Sequence, residues 1–273
     1  MSPDIIRFLH GIGVNIKQLY GSSEMGLVTA HREGDIKPES SGVPLPGAQV
    51  MLSDKGEILV KNEGMYTDYY KNHEAYLKNM NNGWYRTGDF GHIDDDEHLI
   101  VIDRMEDLRE LSNGHKFSPQ YTEVRLRFSP FLKDVIAVGG TDNDYVGALV
   151  NIDIDNVGRW AEARRVPYTT FSDLSQKAEV IGLVVEEIKK VNKALPESAR
   201  IKKFLNLHKE FDPDEAELTR SRKLRRSFLE DRYKDLIGAL YGGTDEYKIE
   251  TTVTYRDGRK GTISSAIKIN SLY

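Results

Sequence analysis

A chain of 273 residues with 38 Lys and Arg against 43 Asp and Glu carries a formal charge of -5. This excludes a general nucleic-acid coat, which needs a phosphate-facing excess of positive charge; its 39% hydrophobic residues are enough for the core of one large or two ordinary domains. Zero cysteines exclude disulfides, thiolate catalysis and cysteine zinc sites, and no apolar run approaches the roughly 20 residues that cross a bilayer.

The first residues, MSPDIIRFLHG, lack the charged-then-apolar layout of a signal peptide, so a cytoplasmic location is expected. FLHGIGVNIKQLYGSSEMG predicts a helix end, a glycine turn, a short buried strand around Val14 to Leu19 and a small polar loop. From Ser40 to Val60, alternating apolar residues punctuated by Pro44, Pro46 and an Asp54 to Gly56 turn predict a small antiparallel unit. GDFGHIDDDEHLIVIDR predicts a second hairpin. Its aspartates at the tip, Asp94 to Asp96, read as an ordinary solvated turn rather than a metal site.

The texture changes near Asp103 and Arg104, where a domain boundary is expected. SPQYTEVRLRFSPF predicts a helix capped at Ser118 with Pro119 in its first turn, and DVIAVGG and GALVNIDI predict two strands. Leu174, Ala178, Ile181, Val185, Ile188 and Leu195 recur at three- and four-residue steps, predicting one buried helical face that stops at Pro196, with Glu186, Glu187, Lys189 and Lys190 on the solvent side. KIETTVTYRDGRKGTISSAIKIN predicts a terminal hairpin turning at Asp257 and Gly258. The partition is therefore residues 1–103, 104–240 and 241–273, and the fold class is α+β: a β-rich strip, a compact α+β segment and a hairpin extension.

Four stretches carry chemistry. In Tyr20-Gly21-Ser22-Ser23-Glu24, an aromatic face, two hydroxyls and a carboxylate follow a glycine turn, which suits a base, phosphate oxygens and magnesium, although a serine N-cap with a first-turn glutamate has the same pattern. Asp89, in GWYRTGD, can accept two hydrogen bonds from vicinal ribose hydroxyls, or simply open a strand. Charges cluster at Asp103 to Asp107, and Ser112-Asn113-Gly114 follows as a mobile loop or a polar linker. LTRSRKLRR packs Arg220, Arg222, Lys223, Arg225 and Arg226 together, fit either for a phosphate or carboxylate or for the solvated start of the next helix. Its lack of interleaved aromatics argues against nucleic acid. The seven histidines form no i, i+4 pair, so any metal is expected to be magnesium on oxygen ligands.

Taken in order, YGSSEMG, GVPLPG, GEILV, YYKNHEA, GWYRTGD, DRMEDLRELSNGHKFSP and LTRSRKLRR resemble the C-terminal part of AMP-forming acyl-CoA synthetases, the long-chain type most closely, from about Ser2 to Leu240. RFSPFLKDVIAVGG and DNDYVGALV are also similar to that family's small domain. The resemblance implies a strip of the large adenylate-forming domain followed by a C-terminal lid. It implies an enzyme that activates a fatty acid with ATP as acyl-AMP and transfers it to coenzyme A. Under it, Lys223 bridges carboxylate and phosphate oxygens, with Arg222, Arg225 and Arg226 as supporting or surface charges. Glu24 binds magnesium, and Tyr20, Gly21, Ser22, Ser23, Asp89 and Arg104 line the nucleotide. Glu106 marks the hinge between half-reactions, and Ser112, Asn113 and Gly114 form the coenzyme A-side loop.

Departures from the family pattern are Glu97 for a hairpin-tip glycine, Arg220 for a common proline and Glu110 at an often basic position. The Ser/Thr/Gly-rich phosphate loop and most of the acyl pocket are absent from this sequence. A larger enzyme's final portion is therefore expected, its remaining N-terminal part being the partner, and the chain alone should be nearly inactive. The rival readings are an adenylating enzyme that loads a carrier-protein thiol and a non-catalytic nucleotide-binding or docking module.

Overall fold

The computed structural model describes residues 3–219, 224–254 and 260–272. They fall into two units, Met1–Leu108 and Arg109–Tyr273. The division lies a few residues past the boundary expected at Asp103 and Arg104.

In the first unit, α1 (Pro3–Gly11) is followed by coil up to β1 (Leu19–Ser22), which pairs antiparallel with β2 (Gly26–Ala30). The buried strand expected at Val14 to Leu19 is not formed. Val14 and Leu19 are 46% and 59% exposed, and local bonds hold this stretch as a loop: Asn15 and Lys17 reach Glu33, and His10 Nε2 meets the Ile16 carbonyl. The ribbon gains β3 (Val43–Pro44) on the far side of β2. Next come β4 (Ala48–Leu52), β5 (Glu57–Asn62), α2 (His73–Asn79), β6 (Met80–Asn81), β7 (Trp84–Ile93) and β8 (Leu99–Arg104). They form a sheet of order β4-β5-β7-β6 with β8 on β7. Both hairpins expected from the alternating pattern are present. Met25, Val28, Ile58, Val60, Tyr85 and Leu99 make the small core beneath them.

The second unit begins with the short ribbon β9 (Arg109–Glu110) and β10 (Lys116–Phe117), then α3 (Pro119–Leu126). Ser118 caps α3 by accepting the Tyr121 N–H, with Pro119 in the first turn. β11 (Leu132–Val138) and β12 (Val146–Ile152) pair antiparallel, and β12 continues through α4 (Ile154–Ala163), α5 (Phe171–Ser175) and α6 (Ala178–Asn192) to β13 (Ile201–Asn206), its parallel neighbour. A parallel pair needs such a crossover. α7 (Arg226–Arg232) and α8 (Lys234–Tyr241) precede β14 (Glu246–Thr254) and β15 (Lys260–Ser271), and the five-stranded sheet runs β11-β12-β13-β15-β14. The terminal hairpin is thus stitched into this sheet through β15; its turn at Asp257 and Gly258 lies outside the described residues.

Alternation along these strands feeds two cores. Val135, Ala137, Ala148, Val150 and Phe204 join one, and Ile136, Val138, Leu149 and Leu205 join the other with Leu229, Leu236 and Leu240. Successive strand side chains point to opposite faces, so a sheet covered on both sides reads as continuous apolar runs.

The single helix expected between Phe171 and Leu195 is broken at Gln176 and Lys177. The break resets the phase: Val180, Val184 and Ile188 are buried, Ala178 is exposed, and Ile181 and Val185 pack only partly. Glu187, expected on the solvent face, is 9% exposed and pairs with Lys190. Among the described residues, no helix is long and apolar enough to cross a membrane.

Two positions generate stability predictions. Glu97, at the tip of the β7–β8 hairpin, has φ +65, a left-handed conformation that costs a non-glycine residue roughly 1–2 kcal/mol. Glu97→Gly should raise urea-unfolding stability by about 0.5–1 kcal/mol, the gain being trimmed by glycine's looser unfolded chain; a loss would contradict the strain. Arg226 Nη2 lies 2.6 Å from both carboxylate oxygens of Glu123, which is 3% exposed and also accepts the Ala137 N–H. Burial pushes the Glu123 carboxyl above the usual carboxylate range, opposed by the Arg226 guanidinium. Arg226→Met, leaving that carboxylate unpaired, should cost about 3–5 kcal/mol, while the double change with Glu123→Leu should recover most of the loss. Equal denaturation midpoints for the single and double variants would contradict this account.

Candidate active site

β1 presents Tyr20, Gly21 and Ser22, and the backbone there is crowded: a β-carbon on Gly21 would lie 2.3 Å from the Gly26 carbonyl oxygen. Only glycine permits that approach. The ladder shifts register between Tyr20 and Gly21, a bulge that re-aims side chains on either side of it. Ser23, Glu24 and Met25 form the turn, so this segment is a tight β-hairpin and not a serine-capped helix start.

β7 and β8 supply the facing side. Asp89 stands directly opposite Arg104 in their ladder. Glu57, 7% exposed, shapes the preceding turn by accepting the Gly88 N–H at 3.2 Å and pairing with Arg86. Gly88 has φ +71. The Thr87 hydroxyl donates to the Ile58 carbonyl at 2.8 Å and accepts the Asp89 N–H at 3.0 Å.

The two parts meet at Asp89. The Tyr20 hydroxyl donates to Asp89 Oδ2 at 2.5 Å, and Arg104 Nη1 lies 3.1 Å from Asp89 Oδ1 while donating to the Thr87 carbonyl at 3.0 Å. Burial, then the bond to Asp89, pushes the Tyr20 phenol well up, so it stays a donor. A cavity of about 220 Å³ is lined by Ser22, Glu24, Tyr85, Thr87, Asp89 and Arg104, among others.

Glu24 is fixed from both sides: Ser22 Oγ donates to Oε2 at 2.7 Å and the Tyr69 hydroxyl to Oε1 at 3.0 Å. The Ser22 bond first, then the Glu24 backbone N–H and, more weakly, Tyr69, hold its carboxyl below the usual range against the effect of burial. Among the described residues, no group of three or more His, Cys, Asp or Glu side chains could hold a metal. A single anionic carboxylate beside a cavity is nevertheless compatible with magnesium, which commonly uses one or two protein carboxylates, substrate phosphates and water.

Thus Tyr20, Gly21, Ser22, Glu24, Asp89 and Arg104 come together, with Ser23 exposed at the adjacent hairpin tip. Glu106 lies in a short 3-10 turn, Met105–Asp107, near the end of the first unit. Ser112, Asn113 and Gly114 form the exposed turn between β9 and β10 in the second unit, where Ser112 N donates to the Asn143 carbonyl at 2.9 Å. Lys223, Arg220 and Arg222 lie outside the described residues; the neighbouring Leu218 and Leu224 form an antiparallel bridge. Thr87 and Tyr69 are site residues not assigned from sequence. Both stand inside quoted motifs, and Tyr69 reaches Glu24 only through the fold.

The sequence profile of the AMP-binding enzyme C-terminal domain matches residues 106–245. The chain belongs to that family. It is 29% identical over 236 residues to the long-chain-fatty-acid–CoA ligase FadD15 of Mycobacterium bovis, covering 86% of this chain and 39% of that one. It is 28% identical over 268 residues to long chain acyl-CoA synthetase 8 of Arabidopsis thaliana, covering 88% of this chain and 37% of the relative. Its fold matches the A domain of a carboxylic acid reductase from Segniliparus rugosus, solved with AMP and a co-purified carboxylic acid. There the TM-score is 0.56 at 20% identity, over 89% of this chain and 38% of the other. The chain spans less than half the length of these relatives.

If Ser22 and Tyr69 set the charge of Glu24, Ser22→Ala should raise the Glu24 titration midpoint, and Tyr69→Phe should raise it by less. Carbon-detected NMR titration of the carboxyl would measure both. Unchanged midpoints would contradict the assignment.

Proposed function

We propose that this chain is the C-terminal part of a long-chain fatty acid–CoA ligase. Such an enzyme activates a carboxylate with ATP as acyl-AMP, releases pyrophosphate and passes the acyl group to the coenzyme A thiol. The observation that carries this reading is the convergence of Glu24, Asp89 and Arg104 on one cavity from segments far apart in sequence, with Tyr20 joined to it by its bond to Asp89.

In this reading Tyr20 offers its ring to adenine. Asp89 accepts from the ribose hydroxyls: each of its oxygens is engaged once by Tyr20 or Arg104 and keeps acceptor capacity. Ser22 and Ser23 face the phosphates from the hairpin tip. Magnesium, held through Glu24, would neutralise phosphate charge. Lys223 brings a compact positive charge to the carboxylate and α-phosphate oxygens, where the first step needs positioning and electrostatic stabilisation more than covalent chemistry. Glu106 serves as the pivot, residues 1–103 as the strip of the nucleotide-binding domain, 104–240 as the lid and 241–273 as its extension. Ser112, Asn113 and Gly114 serve the coenzyme A side.

Two outcomes test the proposal. The chain alone should form no acyl-CoA from ATP, fatty acid and coenzyme A, because the Ser/Thr/Gly-rich phosphate loop is not in it; robust turnover would overturn that part. In an enzyme carrying the N-terminal part as well, Lys223→Ala should lower pyrophosphate release by roughly 10²–10³-fold, the scale for losing one stabiliser of developing charge. Thioester formation from supplied acyl-AMP should fall far less. Equal losses in the two steps would remove Lys223 from its role.

A further inference from the structure

A buried polar chain within the first unit is not used by the nucleotide reading. Asp35 Oδ1 lies 2.9 Å from His98 Nε2; Ser40 Oγ lies 2.8 Å from His98 Nδ1 and 3.1 Å from His31 Nε2; and His31 Nδ1 accepts the Gln18 backbone N–H at 3.1 Å. His31, Ser40 and His98 are 5%, 1% and 1% exposed. Despite its Ser-His-Asp order, this is no nucleophile system, because substrate cannot reach the Ser40 hydroxyl.

The partners assign the protons. His31 Nδ1 faces an N–H and must be bare, so the neutral ring carries its proton on Nε2 and donates it to Ser40 Oγ. His98 Nε2 faces a carboxylate and carries its proton, leaving Nδ1 to accept from the Ser40 hydroxyl. The Lys37 carbonyl, 3.1 Å away, competes for that hydroxyl proton, and Ser40 Oγ also accepts the Gly42 N–H at 3.1 Å.

What the chain joins gives it a role. Gln18 immediately precedes β1, which carries Tyr20, and its side-chain amide also binds the Pro38 and Ser40 carbonyls at 3.0 and 2.7 Å. His98 leads into β8, which carries Arg104 opposite Asp89. Between them Gly42 lies so close to Ala30 that a β-carbon would sit 2.0 Å from the Ala30 carbonyl carbon. Ser40 is therefore a splice between the ribbon bearing Tyr20 and the hairpin bearing Asp89.

We propose that the His31–Ser40–His98–Asp35 chain is a proton-gated positioning clamp for the Tyr20–Asp89 wall, closed while His31 is neutral and released when His31 takes up a proton. Its link to ligand affinity rests on the nucleotide reading above. A proton on His31 Nδ1 would point at the Gln18 N–H, so that bond must break and the ring or the Gln18 backbone must move apart. Against burial, the largest influence, the Lys37 and Ser40 carbonyls and Asp35 favour protonation, while His98, its centroid 6.1 Å away, opposes it. Lys37 is spent on Asp94 and Asp96, and Lys17 on Glu33. Burial prevails and holds His31 below its ordinary value. A histidine depressed in the folded state contributes stability that is present above its unfolded value of about 6.5 and is lost as pH falls toward the folded one.

The test uses the whole chain, labelled with nitrogen-15, between about pH 8 and about pH 5. His31 should appear as the neutral Nε2–H tautomer, and the Gln18 and Tyr20 amide signals should move with its titration. AMP affinity, measured by calorimetry, should fall by about tenfold more in the native chain than in His31→Asn, whose side-chain oxygen can accept the Gln18 N–H but cannot titrate. The comparison is needed because a phosphate monoester titrates near pH 6 itself. An Nδ1–H tautomer, amides that stay still through the titration, or equal acid losses in the two proteins would overturn the clamp. Amides that move in a chain that binds no AMP at any pH would support the clamp and overturn the nucleotide reading.

Discussion

The first unit is organised by backbone segments that approach too closely to admit a side chain. At Gly21 the obstacle is the Gly26 carbonyl oxygen, 2.3 Å from where a β-carbon would stand; at Gly42 it is the Ala30 backbone, at 2.0 Å. Such contacts leave each hairpin little freedom to slide, because movement would separate backbone groups that are already paired. Tyr20 and Asp89, far apart in sequence, are consequently held within one hydrogen bond of each other. The position of Glu24 follows from the same crossing, since the tight turn brings it back onto Ser22 while the segment after β5 brings Tyr69 to its other oxygen.

Legibility in the sequence tracks how local each cause is. The cap at Ser118 and Pro119, the two hairpins of the first unit and the strands at Leu132 and Val146 all follow from neighbouring residues, and each is present. The misplaced strand at Val14 to Leu19 looks apolar in one dimension, but β2 pairs only from Leu19 onward and charged neighbours are drawn to Glu33. The split between α5 and α6 was hidden for a similar reason. Gln176 is taken up by the Asn206 carbonyl, thirty positions on, and the three- and four-residue rhythm carries no sign of that partner.

The candidate site divides the same way. Tyr20, Glu24, Asp89 and Arg104 sit in compact motifs that stand out by residue type, and the fold brings them together. Thr87, Glu57 and Tyr69 act by orienting those groups, and orientation is a property of three-dimensional contact. Glu57 reads as one more polar residue at the start of a strand, yet it is buried and its carboxylate meets both the Gly88 amide and Arg86. Metal-ligand spacing is blind to the contacts that His31 and His98 make through Ser40, since hydrogen-bonded relays have no fixed spacing.

The basic run LTRSRKLRR shows why charge counts overstate available charge. Arg226 is committed to the buried Glu123 and the Ala137 carbonyl, and Arg225 donates to the Ala216 carbonyl while its guanidinium lies 5.3 Å from the Phe228 ring. Beneath them Glu217 is fully buried, accepting from the Tyr233 hydroxyl and pairing with Arg232 and Lys209, while its carbonyl receives the Arg225 N–H. Two of the five cations thus serve to fix the chain just after Lys223. A cation already paired to a buried carboxylate adds little to the field at a distant anion, because its partner cancels most of it. The C-terminal end of the run, Arg225 and Arg226, is therefore better understood as a structural anchor than as part of a broad basic patch.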